Sequence, residues 1–390
     1  MEMTIEDDYS EFREAVAAIC KDFPGKYWRN LEDQPSDCSY PTDFVNALTQ
    51  SGFLAALIPE AYGGSGLPIR AGAVILEAIH ESGCSAAACH AQMYTMGTIL
   101  RHGSDEQKQK YLPEIAKGSL RLQAFGVTEP STGSDTTQLK TKAERDGNGY
   151  VINGQKVWTS RAAHSDLMLL LARTSPPEEC EKRTDGLSCF LVDLREVTGN
   201  GCEIKPLDAM INHNTTEVFF DNMHIPGDAL IGQEGKGFRY ILDGMNAERV
   251  LIAGESLGDG KFFIDKGVSY ANERVVFDRP IGQNQGIQFP LAKSWAELQG
   301  ADIMARKAAV LFDSGKPCGA EANMAKYQAA KAAWEAAEAC LMTHGGFGFA
   351  REYDVERKWR EARLYRTAPV SENMILAYIG QNILGMPRSY

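Results

Sequence analysis

Several stretches of the sequence set chemically capable side chains among glycines and turn-forming residues. Residues 125–135 read FGVTEPSTGSD and are rich in hydroxyl groups, and residues 153–160 read NGQKVWTS and bring a tryptophan after a turn. Residues 274–285 read RVVFDRPIGQNQ, residues 345–349 read GGFGF, and residues 246–250 read NAERV, with a carboxylate beside a guanidinium. Hydroxyl and amide groups can hold a polar ligand, a guanidinium can bind phosphate, and a carboxylate can accept a proton.

Histidine and cysteine do not contribute to such a pattern. The seven histidines have no ligand spacing and no evident nucleophile partner, and the nine cysteines are scattered, with no C-x-x-C pair and no zinc spacing. We therefore predict no metal site, no catalytic histidine and reduced, unpaired thiols.

Composition and charge exclude other classes of protein. The chain has 390 residues, 44% of them apolar, which suffices for a large core, and its net charge of −12 argues against nucleic-acid binding. Residues 1–8 are acidic and have neither an apolar nor an arginine-rich targeting pattern, and no apolar run reaches the length of a membrane span. We expect a cytoplasmic protein without a membrane anchor.

The predicted secondary structure, which must position these stretches, changes along the chain. Apolar residues recur at helical spacing up to about residue 120, short β-branched and aromatic runs separated by turns follow up to about 232, and long alanine-rich helical segments return after Gly235. The absence of alternating β-α units and of a G-x-G-x-x-G motif argues against a Rossmann domain. The predicted helical segments are 237–272, 283–314 and 319–344, and the predicted domains are 1–121 (helical), 122–235 (antiparallel β) and 236–390 (helical bundle).

The order of the stretches 125–135, 153–160, 274–285 and 345–349, together with PEAYGG at 59–64, resembles the acyl-CoA dehydrogenase family. This resemblance implies an α+β fold with an N-terminal helical domain, a middle antiparallel β domain and a C-terminal four-helix bundle. It also implies bound FAD, an acyl-CoA substrate of fatty acid β-oxidation, an electron-transfer flavoprotein as partner and a homotetramer.

The resemblance also assigns roles to individual residues. Substrate contacts are implied for Ser134, Asn246 and Arg249. Phe125 is an equally good packing residue, and Arg274 has the alternative of a solvated cation at a helix end. The residues implied to bind the cofactor, the pyrophosphate end of which is shared with a neighbouring subunit, are Phe125, Val127, Thr128, Trp158, Ser160, Arg274, Phe277, Gln285, Gly345, Gly346 and Ser371.

The position of the catalytic base departs from the commonest family pattern. Many members carry a glutamate in a Y-E-G-T stretch near the C-terminus, where this chain has Pro369. The isovaleryl-CoA and long-chain members carry it on a helix just ahead of an arginine, and Glu248 before Arg249 matches that arrangement. Glu248 is therefore the predicted base that takes the α proton while the β hydride passes to the flavin. The alternative is a glutamate on a helix surface.

Pro369 raises a second question. The family uses the backbone N–H at this position as a donor to the thioester carbonyl, and proline has no N–H. Either Val370 supplies the donor from a displaced loop, or the chemistry differs. The predicted function is dehydrogenation of an acyl-CoA to the trans-2-enoyl-CoA. The alternatives are an acyl-CoA-binding lyase, a flavin monooxygenase or nitroalkane-type oxidase of the same fold, and a scaffold without activity.

Overall fold

The structure is a computed structural model that describes residues 9–388. Residues 1–8, on which the expectation of a missing targeting segment rests, lie outside the described residues. The helices are α1 (Ser10–Cys20), α2 (Gly25–Glu32), α3 (Thr42–Gln50), α4 (Ile69–Glu81), α5 (Ala87–His102), α6 (Asp105–Lys117), α7 (Leu194–Val197), α8 (Gly237–Glu273), α9 (Gln285–Asp313), α10 (Gly319–His344), α11 (Val355–Leu364) and α12 (Glu372–Tyr378). The strands are β1 (Leu122–Gly126), β2 (Lys142–Asp146), β3 (Gly149–Ser160), β4 (Leu167–Arg173), β5 (Leu187–Asp193), β6 (Cys202–Pro206), β7 (Thr215–Pro226), β8 (Val275–Val276) and β9 (Arg279–Pro280).

The chain divides into two compact units. The sheet unit comprises Leu31–Leu67 and Ala87–Met245, and the helical unit comprises the described residues up to Asn30, Pro68–Ala86 and those from Asn246 onward. The three long helices predicted from apolar spacing are confirmed as α8, α9 and α10, each within two residues of the predicted ends.

The sheet unit is built on a seven-stranded sheet of order β1-β4-β2-β3-β7-β6, with β5 paired to β4. Antiparallel pairing, as predicted, joins β2–β3, β3–β7, β4–β5 and β6–β7, whereas β1–β4 and β2–β4 are parallel. The sequence did not predict the parallel pairs, because the pairing of strands distant in sequence depends on how the crossovers pack.

Strand β4 explains where the cores of this unit lie. Leu167, Leu169 and Leu171 join a cluster with residues of α5 and α6, while Met168 and Leu170 join a second cluster with residues of β3, β5 and β7. Successive side chains of a strand point to opposite faces, so a strand buried on both faces is apolar at every position. The sheet is therefore covered on both faces at β4.

The helical unit packs its helices closely through small residues. A Cβ at Gly254 would lie 2.5 Å from the carbonyl of Ala73, and one at Gly258 would lie 2.2 Å from the carbonyl of Glu77, so only glycine lets α4 approach α8. Helix α10 likewise presents a buried stripe of alanines to its neighbours. None of the helices within residues 9–388 combines the length and the apolar character that a membrane span requires.

Candidate active site

The predicted base lies on α8 in the helical unit. Glu248 is 4% exposed, and the adjacent Arg249 donates from Nη1 to Oδ1 of Asn246 over 2.9 Å. Burial lowers the pKa of Arg249, while the charge of Glu248 acts in the opposite direction. Three predicted site residues, Asn246, Glu248 and Arg249, thus lie within one turn of α8 in the helical unit.

A buried lysine on α10 interacts electrostatically with Glu248. Lys326 is 1% exposed, and burial lowers its pKa to about 8 against the favourable charge of Glu248. Its Nζ donates to the carbonyl of Tyr365 and, over 2.8 Å, to the carbonyl of Val370. The charge of Lys326 therefore acts on the predicted base, while its ammonium binds the segment that contains Pro369.

The segment 365–371 is held at both ends. Its first residue, Tyr365, is buried, and its last, Ser371, caps α12 by accepting the N–H of Met374 over 3.4 Å. Pro369 itself is exposed and follows a cis peptide bond from Ala368. Val370, the alternative backbone N–H donor, is buried, and its carbonyl accepts a hydrogen bond from Lys326.

In the sheet unit, the residues predicted to contact the flavin converge at one end of β3. The N–H of Val157 donates to the carbonyl of Thr128 over 2.9 Å, which ties the stretch after β1 to the strand that carries Trp158 and Ser160. Trp158 adopts φ +60° where the register of β3 with β7 shifts, and its side chain is 59% exposed. A non-glycine residue in this conformation is strained, as is common where a side chain is aimed at a ligand.

A buried ion pair fixes this stretch. Lys156 Nζ donates to Glu129 Oε1 over 2.9 Å and to the carbonyl of Val127 over 3.0 Å, and Glu129 also accepts the N–H groups of Lys140 (2.7 Å) and Thr141 (2.8 Å). Burial opposes ionisation of Glu129, but Lys156 and the bonds from Thr141 and Lys140 outweigh it and hold the pKa of this carboxyl below its usual range. The backbone around Val127 and Thr128 is thereby made rigid.

Two other predicted residues of this unit differ in surroundings. The ring of Phe125 packs edge-on against Tyr94 with 5.5 Å between centroids, which agrees with the packing alternative for Phe125. Ser134 is exposed on the loop after β1.

The residues predicted to bind the far end of the cofactor lie in the helical unit. A groove of about 600 Å³ is lined by Arg274, Gly345 and Gly346, together with Tyr270 and His344. The guanidinium of Arg274 is the cation of this groove, and Gly345 adopts φ +57° with no atom within 4 Å of the position of a Cβ. Three of the predicted cofactor residues therefore share one groove.

The other two predicted residues of this group lie outside the lining of the groove. Phe277 and Asp278 form the turn between β8 and β9, both with positive φ, as a two-residue type I′ hairpin requires. Phe277 is 93% exposed, an unusual state for a large apolar side chain. Gln285 is exposed at the start of α9. These positions leave both side chains accessible to a second molecule.

His80, for which no role was predicted, lies among buried acidic groups. Its ring accepts the N–H of Ala86 at Nε2 (3.0 Å), and Nδ1 lies 2.9 Å from Asp259 Oδ1 and 2.9 Å from Lys358 Nζ. Lys358 Nζ lies 2.5 Å from Asp259 and 2.6 Å from Glu361. The ammonium of Lys358 thus pairs with two carboxylates of this buried cluster.

Sequence reasoning missed Lys326, Lys156 and the partner role of Glu129. The two lysines carried a usable signal, since Lys326 falls on the alanine stripe of α10 and Lys156 falls on the inward face of β3. A charge at an apolar position of a periodic pattern indicates a buried, paired group.

Comparisons with known proteins agree with this architecture. Models of three acyl-CoA dehydrogenase domains match the chain, the N-terminal domain over residues 6–119, the middle domain over 124–223 and the C-terminal domain over 235–384. Acyl-CoA dehydrogenase fadE12 of Mycobacterium bovis is 33% identical over 387 residues, 98% of each chain. A 3-(aryl)acrylate reductase of Clostridium sporogenes is 32% identical over 378 residues, 95% of this chain and 98% of its own. The structure of butyryl-CoA dehydrogenase from Megasphaera elsdenii has a TM-score of 0.89 at 25% identity and covers 98% of this chain and 100% of its own.

The residues present suit FAD, the cofactor of this family. An exposed indole beside hydroxyl and backbone groups can flank an isoalloxazine ring, and a groove with one guanidinium and two glycines can receive a phosphate close to the backbone. The predicted fold class, with helical N- and C-terminal parts and a β middle part, is confirmed, as are the predicted family and cofactor. The chain belongs to the acyl-CoA dehydrogenase family of FAD-dependent oxidoreductases that act on the CH–CH bond of acyl-CoA thioesters.

Proposed function

We propose that the protein dehydrogenates an acyl-CoA to the trans-2-enoyl-CoA with Glu248 as the base, and that it passes the electrons to an electron-transfer flavoprotein. The observation that carries this proposal is a buried carboxylate on α8 with two cationic side chains, Arg249 and Lys326, near it. Neighbouring positive charges favour the ionised form of a buried carboxylate, which is the form that accepts a proton.

The chain's own residues supply the acid–base part of the reaction. Glu248 removes the proton from the α carbon, the hydride leaves the β carbon with its electron pair, and a double bond forms between the two carbons. FAD, when bound, supplies the acceptor for that hydride. Thr128, Trp158 and Ser160 hold the ring of the cofactor in this proposal, and Ser134, Asn246 and Arg249 contact the substrate.

A homotetramer is part of the proposal. Arg274, Phe277, Gln285, Gly345 and Gly346 are exposed in the single chain, and the Phe277 ring stands free at the tip of a hairpin. A partner subunit that covers these residues would bury them against the pyrophosphate end of the cofactor.

We also propose a division into domains at 121/122 and 235/236, a cytoplasmic location, a role in fatty acid β-oxidation and contact of Ser371 with the cofactor. Branched or longer acyl chains are the proposed substrates, because Glu248 follows the isovaleryl-CoA and long-chain pattern. Met93, Tyr94 and Met245 are the residues expected to narrow the acyl pocket.

The test is an anaerobic titration of the FAD-saturated protein with acyl-CoAs from butyryl and isovaleryl to palmitoyl, followed by the long-wavelength flavin absorbance. One substrate class is expected to bleach the flavin, and Glu248→Gln is expected to slow bleaching about 10²- to 10⁴-fold, as removal of a general base does. Glu273→Gln, an exposed glutamate at the end of the same helix, is the matched control.

Unchanged bleaching by Glu248→Gln would refute its role as base. Thioesters that shift the spectrum without reducing the flavin would instead favour a lyase or another non-dehydrogenating reaction, with Pro369 as the sequence feature that accompanies it.

A further inference from the structure

Lys326 occupies a position where its charge is costly. The side chain is buried on the face of α10 formed by Ala322, Ala325, Ala329 and Ala330, all at most 2% exposed. An alanine would continue this stripe without the cost of burying an ammonium, which is large unless the charge is paired and hydrogen-bonded. The contacts of the ammonium therefore indicate what this lysine does.

Two of its hydrogen bonds clamp one short segment. Nζ donates to the carbonyls of Tyr365 and Val370, which bracket Pro369 from either side. One ammonium shared by two carbonyls five residues apart constrains the path of the chain between them. This is the segment that occupies the position of the usual family base and of its N–H donor.

The third feature is the charge. Among the charged neighbours of Lys326, Glu248 on α8 has the largest effect on its pKa and favours the ammonium. Arg249 on the same helix opposes the charge, and Glu372 on α12 favours it. Arg249 in turn interacts electrostatically with Glu248, Tyr378 and Cys318. The ammonium of Lys326 thus binds the 365–370 segment by hydrogen bonds and acts on Glu248 through its charge.

We propose that Lys326 is a positioning residue of the dehydrogenation site, which anchors the 365–370 segment and keeps Glu248 in its proton-accepting form. This inference rests on the proposed role of Glu248. It extends that proposal, because it makes the basicity of Glu248 depend on a group 78 positions away in the sequence. The lowered pKa of Lys326, about 8, leaves the ammonium charged at neutral pH, as the inference requires.

The test compares Lys326→Gln, which retains an amide donor without the charge, with Lys326→Arg, which retains both donor and charge. Lys331→Gln is the control, since Lys331 lies on the same helix and pairs with Glu335 on the half-exposed side. Each variant is saturated with FAD, its thermal unfolding and flavin content are recorded, and the rate of flavin reduction by the reactive acyl-CoA is measured from pH 5 to 9.

In Lys326→Gln the acid limb of the pH–rate profile is expected to move to higher pH by about one to two units, since a nearby positive charge no longer favours the carboxylate. The acid limbs of Lys326→Arg and Lys331→Gln are expected to stay with that of the wild type.

A folded, FAD-replete Lys326→Gln with an unmoved acid limb overturns the inference. A shift of one unit or more in Lys326→Arg overturns it as well, and this second criterion applies even where the glutamine variant does not fold. A wild-type protein that no acyl-CoA reduces refutes the proposed dehydrogenation itself, which distinguishes that failure from a failure of Lys326 alone.

Discussion

Replacing Glu129 by glutamine is expected to destabilise the sheet unit by about 3–5 kcal/mol, the usual cost of breaking a buried ion pair by removing one charge. Glu129 and Lys156 are 2.9 Å apart, with side-chain exposures of 4% and 0%. The amide of the variant can still accept one backbone N–H, but it leaves the Lys156 ammonium buried beside a neutral partner. A loss of this size is a large part of the 5–15 kcal/mol that stabilises an ordinary domain.

The same substitution should weaken FAD binding, because the ion pair fixes the carbonyl of Val127 and the stretch from which Thr128 bonds Val157. We expect an increase in Kd of about tenfold, equivalent to about 1.4 kcal/mol. Urea unfolding measures the stability, and FAD retention in dialysis measures the affinity. The matched control is Glu114→Gln, which breaks the exposed pair with Lys117 and should change the stability by less than about 1 kcal/mol.

The pH dependence gives the result that would refute this reasoning. Because the pKa of Glu129 is lowered in the folded protein, its stabilising contribution is present above the unfolded carboxyl pKa of about 4.3 and is lost as pH falls through the folded value. The difference in unfolding free energy between the wild type and Glu129→Gln should therefore become smaller below about pH 4.3. A gap under about 1 kcal/mol at neutral pH, or one that does not change on acidification, would show that the pair does not stabilise the unit.

Three further outcomes are expected. Burial would raise the pKa of Glu77, but the charges of Lys261 and Arg13 outweigh it and lower this pKa to about 2. Glu77→Gln should therefore reduce the unfolding free energy by about 3 kcal/mol at pH 7, and by progressively less as the pH falls from 4.5 to 2. A reduction that stays constant over this pH range would contradict the prediction. Gly258→Ala should reduce the unfolding free energy measured in urea by about 1–3 kcal/mol, because the new Cβ meets a backbone carbonyl. Gly300→Ala, in open space on α9, should be neutral or stabilising. Equal effects of the two substitutions would refute the close approach of α4 to α8. Arg274→Gln should raise the Kd for FAD about tenfold or more, and unaltered FAD retention in dialysis would remove Arg274 from the cofactor site.

The sequence predicted those features of the structure that depend on residue types at short spacings. Helices α8, α9 and α10 were predicted to within two residues, since apolar residues at a spacing of 3.6 mark a buried face over many turns. The stretch 125–135 and the tryptophan of 153–160 were recognisable for a related reason. Their glycines, hydroxyls and aromatic residue occur at fixed short spacings, and the structure joins the two stretches through the bond from Val157 to Thr128.

The sequence alone determined the family, the cofactor and the candidate base, because these depend on residue types at short, ordered spacings. Tertiary structure decided which charges are buried together. Lys326 is 39 and 44 residues from the two carbonyls it binds, Lys156 is 27 residues from Glu129, and Lys358 is 278 residues from His80. A lysine reads the same in a sequence whether it is solvated or enclosed. Only the packing of distant elements removes water from its ammonium. Carbonyl and carboxylate groups must then replace that water as hydrogen-bond and charge partners.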